Sequence, residues 1–290
     1  MIAETGQLVT RLMTKTRKNK DTNQLDLQKL SIQISLNGLS FCILNTIQNE
    51  IIALKHFQFE QVTNPLQLEK EVIAIFESET ELLDDSFETV TVSHINTLST
   101  FVPKPLFSDK NLADYLKYNN KILANDYITF DVVANNDMVN VYIPYVNINN
   151  LFFEKYGAFH FKHFATVLLE NILHLPKTTE EATVYVHVQK EQFEIVVIQH
   201  KKLLLYNSFE YSSSEDFIYY LLFTLEQLQL NADTIQLYFL GDIDKADILY
   251  TVTYTYVRHV DFLEKKYTFD FNQSAETVEN HRNFTLLTNF

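Results

Sequence analysis

Glycine is scarce in this chain: Gly6, Gly38, Gly157 and Gly241 are the four among 290 residues. Loops that wrap phosphate need positive φ and close backbone approach several times over, so four scattered glycines argue against glycine-loop nucleotide binding. Neither GxGxxG nor GxxxxGK followed by Ser or Thr occurs. Cysteine is nearly absent too. Cys42 alone cannot form an internal disulfide, and in the apolar run Phe41-Cys42-Ile43-Leu44 it reads as an inert buried thiol. No apolar run approaches the roughly 18 residues that span a bilayer. Glu4, Gln7 and Arg11 interrupt any secretory core. The expected compartment is cytoplasmic, where the sequons at Asn272 and Asn283 are chance matches.

Positive charge is also short, with 23 Lys and Arg against 37 Asp and Glu for a net −14. The deficit is uneven. Arg11, Lys15, Arg17, Lys18 and Lys20 oppose only Glu4 within residues 1–20, a local +4 that leaves −18 on the rest. A body of that sign repels phosphate backbones, so the folded part is not expected to bind nucleic acid. What the chain has is apolar and aromatic content: 46% apolar residues, with 23 Phe and 16 Tyr, which excludes a disordered or disulfide-stapled chain. Its length predicts about two compact domains.

Periodicity predicts three strands over 30–36, 39–45 and 50–59, the first two joined at Asn37-Gly38, a dipeptide suited to the positive φ of a type I′ turn. A helix follows with Asn64 as N-cap and Pro65 as first residue, its apolar stripe formed by Leu68, Val72, Ile73 and Phe76. A strand over 87–94 comes next. The second half repeats this order, with strands over 182–188, 192–199 and 202–211, a helix opening at Ser213, and a strand over 234–240. One ungapped offset of 152 residues pairs Ile34 with Val186, Phe41 with Phe193, Ile43 with Ile195 and Phe76 with Leu228. Such an offset across strands, turns and helix points to internal duplication. Between and after the repeats the pattern predicts a helix over 108–118, a hairpin over 127–133 and 138–145, and helices over 148–156 and 163–173. Residues 250–257 fit a strand by alternation or a helix by Leu249, Val252 and Tyr256.

Three antiparallel strands, a crossover helix and a further strand, duplicated, predict an α/β fold of mixed sheets with flanking helices. This is the order of two ribonuclease-H-like domains facing each other across a cleft, as in the actin-like ATPase fold. Domains are expected over 28–178 and 179–290, behind a basic, disordered tail over 1–27.

The strings from Thr100 to Phe107, Leu203 to Tyr211, Glu215 to Phe223 and His281 to Leu287 resemble a Bacteroidetes family known only as domain of unknown function 3822. The resemblance implies an actin-like ATPase fold. It implies no substrate, cofactor or catalytic residue, and Asn283 stands where a second aromatic is expected.

The fold suggests its own test. Actin-like ATPases clamp nucleotide between the first hairpins of their halves, using an Asp-x-Gly turn in each. Here one turn reads Ser35-Leu-Asn-Gly-Leu39, without an acid, and the other Val188-Gln-Lys-Glu-Gln192, without a glycine. Lys190 is the favourable feature, and Leu240-Gly241-Asp242 offers one glycine where the adenosine side usually needs two. The cleft candidates are therefore Asn37, Gly38, Lys190, Gly241 and Asp242, with no catalytic residue, metal ligand or cofactor assigned. His163, Glu170 and His174 share a predicted helix face, but two turns, about 10 Å, separate the first pair. The acids over 69–88 lack calcium-loop spacing. Ser212, Ser213 and Ser214 read as helix capping, and Tyr219, off the apolar stripe of its helix, is expected to face a protein partner.

The expected function is a catalytically inactive actin-like scaffold, a pseudo-ATPase that binds an unknown protein. The rival is a nucleotide-binding ATPase with atypical phosphate loops. A third reading, a tail-tethered membrane or nucleic-acid adaptor, rests on five basic residues alone.

Overall fold

The structure, a computed structural model, describes residues 27–60, 64–83, 86–176, 181–272 and 281–290. Apart from Leu27, the expected basic tail lies outside the described residues. The elements in chain order are β1 (Gln28–Ser35), β2 (Gly38–Asn45), β3 (Glu50–Gln58), α1 (Pro65–Ser78), β4 (Thr89–His94), β5 (Ser99–Pro103), α2 (Leu112–Leu116), β6 (Thr129–Val132), β7 (Met138–Tyr142), α3 (Val146–Tyr156), β8 (His160–His163) and α4 (Phe164–Leu173). There follow β9 (Thr183–Val188), β10 (Gln192–Gln199), β11 (Lys202–Glu210), α5 (Ser214–Gln227), β12 (Gln236–Gly241), α6 (Ile248–Tyr256), β13 (His259–Phe262), β14 (Asp270–Phe271) and α7 (Phe284–Leu287). A short 3₁₀ turn, Asp109–Asn111, replaces the first part of the helix expected over 108–118, and the ambiguous stretch at 250–257 lies mostly within α6.

The chain forms two compact units. The first runs to Leu168 and regains residues 268–272 and 285–290; the second holds Leu169–Tyr267 and residues 281–284. In the first, strands order as β14-β3-β2-β1-β4-β8, with β1 to β3 antiparallel and β4 and β8 parallel to β1. Alternate residues Leu30, Ile32 and Ile34 of β1 are fully buried against α1 and α3. The Asn64 side chain caps α1 by accepting from the N–H groups of Leu66 and Gln67 at 3.1 and 3.0 Å. A separate sheet, β5-β7-β6, carries its own small core with α2.

The second unit orders its strands β11-β10-β9-β12-β13, the same topology without the outer β14. Phe217 of α5 is fully buried and lies 4.4 Å, ring to ring, from Phe193 of β10. Burying one such ring contributes about 2–3 kcal/mol.

The two units repeat one another down to an irregularity: the register of β2 on β3 shifts at Ile43/Leu44, and that of β10 on β11 at Val197/Ile198. The offset is not constant, however. The first hairpin turns, flanked by Ser35 and Gln189, lie 154 residues apart, the helix caps Asn64 and Ser213 lie 149 apart, and the strand ends His94 and Gly241 lie 147 apart. An offset of 152 is off by two in the first two strands and by three in the helix, is the true offset between β3 and β11, and is off by five at the ends of β4 and β12. Two residues return a strand to the same face and three nearly complete a helical turn, so apolar positions coincide in spite of the slip. Phe76 corresponds to Leu225, not Leu228, and the buried set Leu68, Val72, Ile75, Phe76 matches Phe217, Leu221, Thr224, Leu225.

The first turn also differs from expectation. Leu36 and Asn37 form its centre, neither with positive φ, because the Ser35 hydroxyl accepts from the Asn37 N–H at 3.1 Å and pulls the turn forward by one residue. Gly38 opens β2 instead, where a Cβ would stand 2.4 Å from the Phe57 carbonyl oxygen. The hairpin with two left-handed central residues joins β10 to β11, at His200 (φ 50°) and Lys201 (φ 61°).

Candidate functional site

In the second unit β9 and β12 are parallel, so their carboxyl ends lie together, and Gly241 pairs with Val188. This brings three of the sequence candidates, Lys190, Gly241 and Asp242, to one end of one sheet. Asn37 and Gly38 belong to the first unit. Gly241 is left-handed at φ 82°, and a Cβ there would lie 2.2 Å from the Val188 carbonyl oxygen. The glycine permits strand contact. The Asp242 N–H donates to that same carbonyl at 2.8 Å, fixing the loop that follows.

That loop is anchored by residues 281 and 282. The Gly241 N–H donates to the His281 carbonyl at 3.0 Å, and His281 Nε2 donates to the Ile243 carbonyl at 2.8 Å. Arg282 forks between Asp242 at 2.6 Å and Asp244 at 3.1 Å. Asp242 is thus paired through Oδ1 with a cation of the chain itself, on a side chain that is 63% exposed.

Beneath the β9–β10 turn, Glu194 is buried. His187 Nδ1 lies 3.0 Å from its Oε2, and Gln189 Nε2 donates to its Oε1 at 3.1 Å. Tyr211 closes the turn by donating to the Gln189 carbonyl at 2.7 Å. Burial first, then the negative charges of Asp242, Asp247 and Glu191, hold the Tyr211 phenol above its ordinary range. The local potential is therefore negative, and Lys190 sits exposed on the turn within it.

The corresponding end of the first unit is closed by bulk. Where Gly241 ends β12, the fully buried His94 ends β4. Its Nε2 lies 2.8 Å from Asn149 Oδ1, and burial pulls its pKa down to about 4. A second polar group joins β6, β7, β8 and α4: the half-buried Asp131 accepts from the His163 N–H at 2.8 Å, the Thr166 hydroxyl at 2.8 Å and the Tyr142 hydroxyl at 3.0 Å. Burial raises Asp131 to about 6 against those hydrogen bonds and Lys162. Burial, then His94, lowers His163 to about 3. Sequence reasoning missed Asp131 and His94 because each lies in an ordinary strand pattern and is brought to its partners only by the fold. His163 ends β8 and is not part of the expected helix face; its ring is used by the Asn96 carbonyl and the Ala165 N–H.

Of the remaining candidates, Cys42 is fully buried and its thiol is pushed far up by desolvation. Ser213 caps α5 by accepting from the Asp216 N–H. Tyr219 is 61% exposed and stacks on Phe223, itself 45% exposed.

A family model described as "Protein of unknown function (DUF3822)" matches residues 17–260. Among solved structures, a Bacteroides thetaiotaomicron VPI-5482 protein "with actin-like ATPase fold and unknown function" is 22% identical at TM-score 0.77, covering 93% of this chain and 99% of that one. A PilM-PilN type IV pilus biogenesis complex is 13% identical at TM-score 0.58, covering 91% and 97%. No curated protein matches the chain. These likenesses establish the actin-like ATPase fold.

Proposed function

We propose that this chain, which belongs to the DUF3822 family of proteins of unknown function, is a non-enzymatic actin-fold scaffold that acts by binding another protein in the cytoplasm. The observation that carries the reading is the Arg282 fork on Asp242 and Asp244. A nucleotide arriving at this end of the sheet would meet Asp242 and Asp244 already paired to Arg282, and only Lys190 would offset Glu191 and Asp247. The glycine that a phosphate loop would use is committed to Val188. Two further points support the reading. The pilus-biogenesis neighbour was solved as a complex, and no helix among the described residues is long and apolar enough to cross a membrane.

The test is purification of the tagged full chain from its native host. A scaffold retains a protein partner in fixed stoichiometry, and adding ATP with magnesium leaves that partner bound. A chain that elutes alone, or that releases phosphate from ATP, contradicts the proposal. The second outcome would favour nucleotide binding through Lys190.

A further inference from the structure

In the second unit residues 242–247 lead from β12 to α6, whereas in the first unit residues 95–145 stand between β4 and α3. This insertion holds the sheet β5-β7-β6 and α2. The duplicated topology is complete without it, as the second unit shows.

Alternate residues of the inserted strands face opposite ways. On one side Val102, Val139 and Val141 form a core with Leu116 of α2 and with Ile143. That core is small, and Leu106, Tyr118, Leu123 and Val132 of the same insertion stay exposed. On the other side stand Asp131, Asn140 and Tyr142, with Asp131 directly opposite Asn140 across the β6–β7 pair. This side is seated on β8 and α4. Thr166, fully buried in the first turn of α4, donates to Asp131 and accepts from Asn140 Nδ2 at 3.0 Å. The Tyr142 ring lies 5.1 Å from that of His163, which ends β8.

The seat is thus polar where the main core of the unit is apolar. Hydrogen bonds across it replace bonds to water, so they contribute less net stability than burying apolar area does. Two groups are seated at a loss. Asn140 Oδ1 is buried with no hydrogen-bond partner among the described residues. Burial also outweighs the hydrogen bonds that Asp131 accepts, so its charge is better solvated when the seat is open.

We infer that residues 95–145 form a separately opening subdomain, held on β8 and α4 through Asp131, Thr166 and Asn140 and released while the main sheet of the first unit stays intact. A core this small does not stand alone, so release exposes the β5-β7-β6 ladder to water. This goes beyond the scaffold reading and does not rest on it, since nucleotide binding would overturn that reading and leave this one standing.

The test is native-state hydrogen exchange of the full chain in a series of sub-denaturing urea concentrations, comparing peptides from β6 and β7 with peptides from β1 and β2. Relative to their intrinsic rates, β6 and β7 amides are expected to exchange about a hundredfold faster or more without urea. Their urea dependence should be finite but shallower, because the smaller opening exposes less surface. Ile32→Val, in the main core, should speed β1 and β2 about fivefold and leave β6 and β7 unchanged, since it weakens the larger opening alone. Thr166→Val removes the hydroxyl that Asp131 and Asn140 share and should speed β6 and β7 by about tenfold or more. Exchange of β6 and β7 with the same urea slope and protection as β1 and β2, a response of β6 and β7 to Ile32→Val, or their indifference to Thr166→Val overturns the inference. If the Thr166 variant does not fold, the urea series and Ile32→Val still decide.

Discussion

Gly241 serves strand packing by a margin that can be measured. Gly241→Ala would place a Cβ 2.2 Å from the Val188 oxygen at a φ of 82°, and a steric and conformational conflict of this kind costs roughly 2–4 kcal/mol. Urea unfolding of the variant should show that loss, and a change under about 0.5 kcal/mol would refute the role. The buried titratable groups make a second prediction. His94 and His163 have pKa values lowered from 6.5 to about 4 and 3. Their contribution is present above pH 6.5 and is lost as pH falls, because the unfolded chain takes up the protons first. Asp131 runs the other way. Raised from 3.8 to about 6, it costs stability above pH 6, and this cost is relieved as pH falls through 6 toward 4. The net is one proton bound by the unfolded state over pH 6 to 4, a slope of about 1.4 kcal/mol per pH unit. Denaturant unfolding at pH 7.5 and 5 should show the fall, and Asp131→Asn should steepen it between pH 6 and 4. A stability that is flat between pH 7 and 5 would contradict this account.

At the scale of elements, turns separate what a sequence states from what only the fold decides. Lys201 adopts φ 61° and His200 φ 50° in the β10–β11 turn, where asparagine and glycine are the residues that sit there without strain. His200→Asn with Lys201→Gly should therefore raise stability by about 1 kcal/mol, some 2–4 °C in melting temperature at this size. An unchanged or lowered melting temperature would show that these residues are not strained. The Asn-Gly pair at 37–38 advertised that turn in the other half, but Ser35 captures the Asn37 N–H and shifts the loop. Helix starts were legible at Asn64 and Ser213 because a cap is a local contact. The strand β14 was not, since two residues pair with a strand more than 200 positions earlier. The duplication was legible for a geometric reason, as strand and helix periods hid the slips in offset. Of the candidate site, Lys190, Gly241 and Asp242 were named from spacing, whereas Arg282, which neutralises Asp242, lies 40 residues downstream and carries no local signal.

For the whole molecule the balance is electrostatic. A net −14 is opposed at the end of the second unit's sheet by Arg282 and Lys190, against Glu191, Asp242, Asp244 and Asp247. A triphosphate adds three to four negative charges there, and each missing charge-assisted hydrogen bond forgoes about 1.5–3 kcal/mol, so three absent bonds remove most of the roughly 8 kcal/mol behind micromolar affinity. The central claim, that this actin-like fold does not hold nucleotide, is tested most directly by calorimetric titration of the purified full chain with ATP and magnesium. The account predicts no saturable heat at affinities tighter than about 100 μM. Saturable binding tighter than that, abolished by Lys190→Glu, would contradict it.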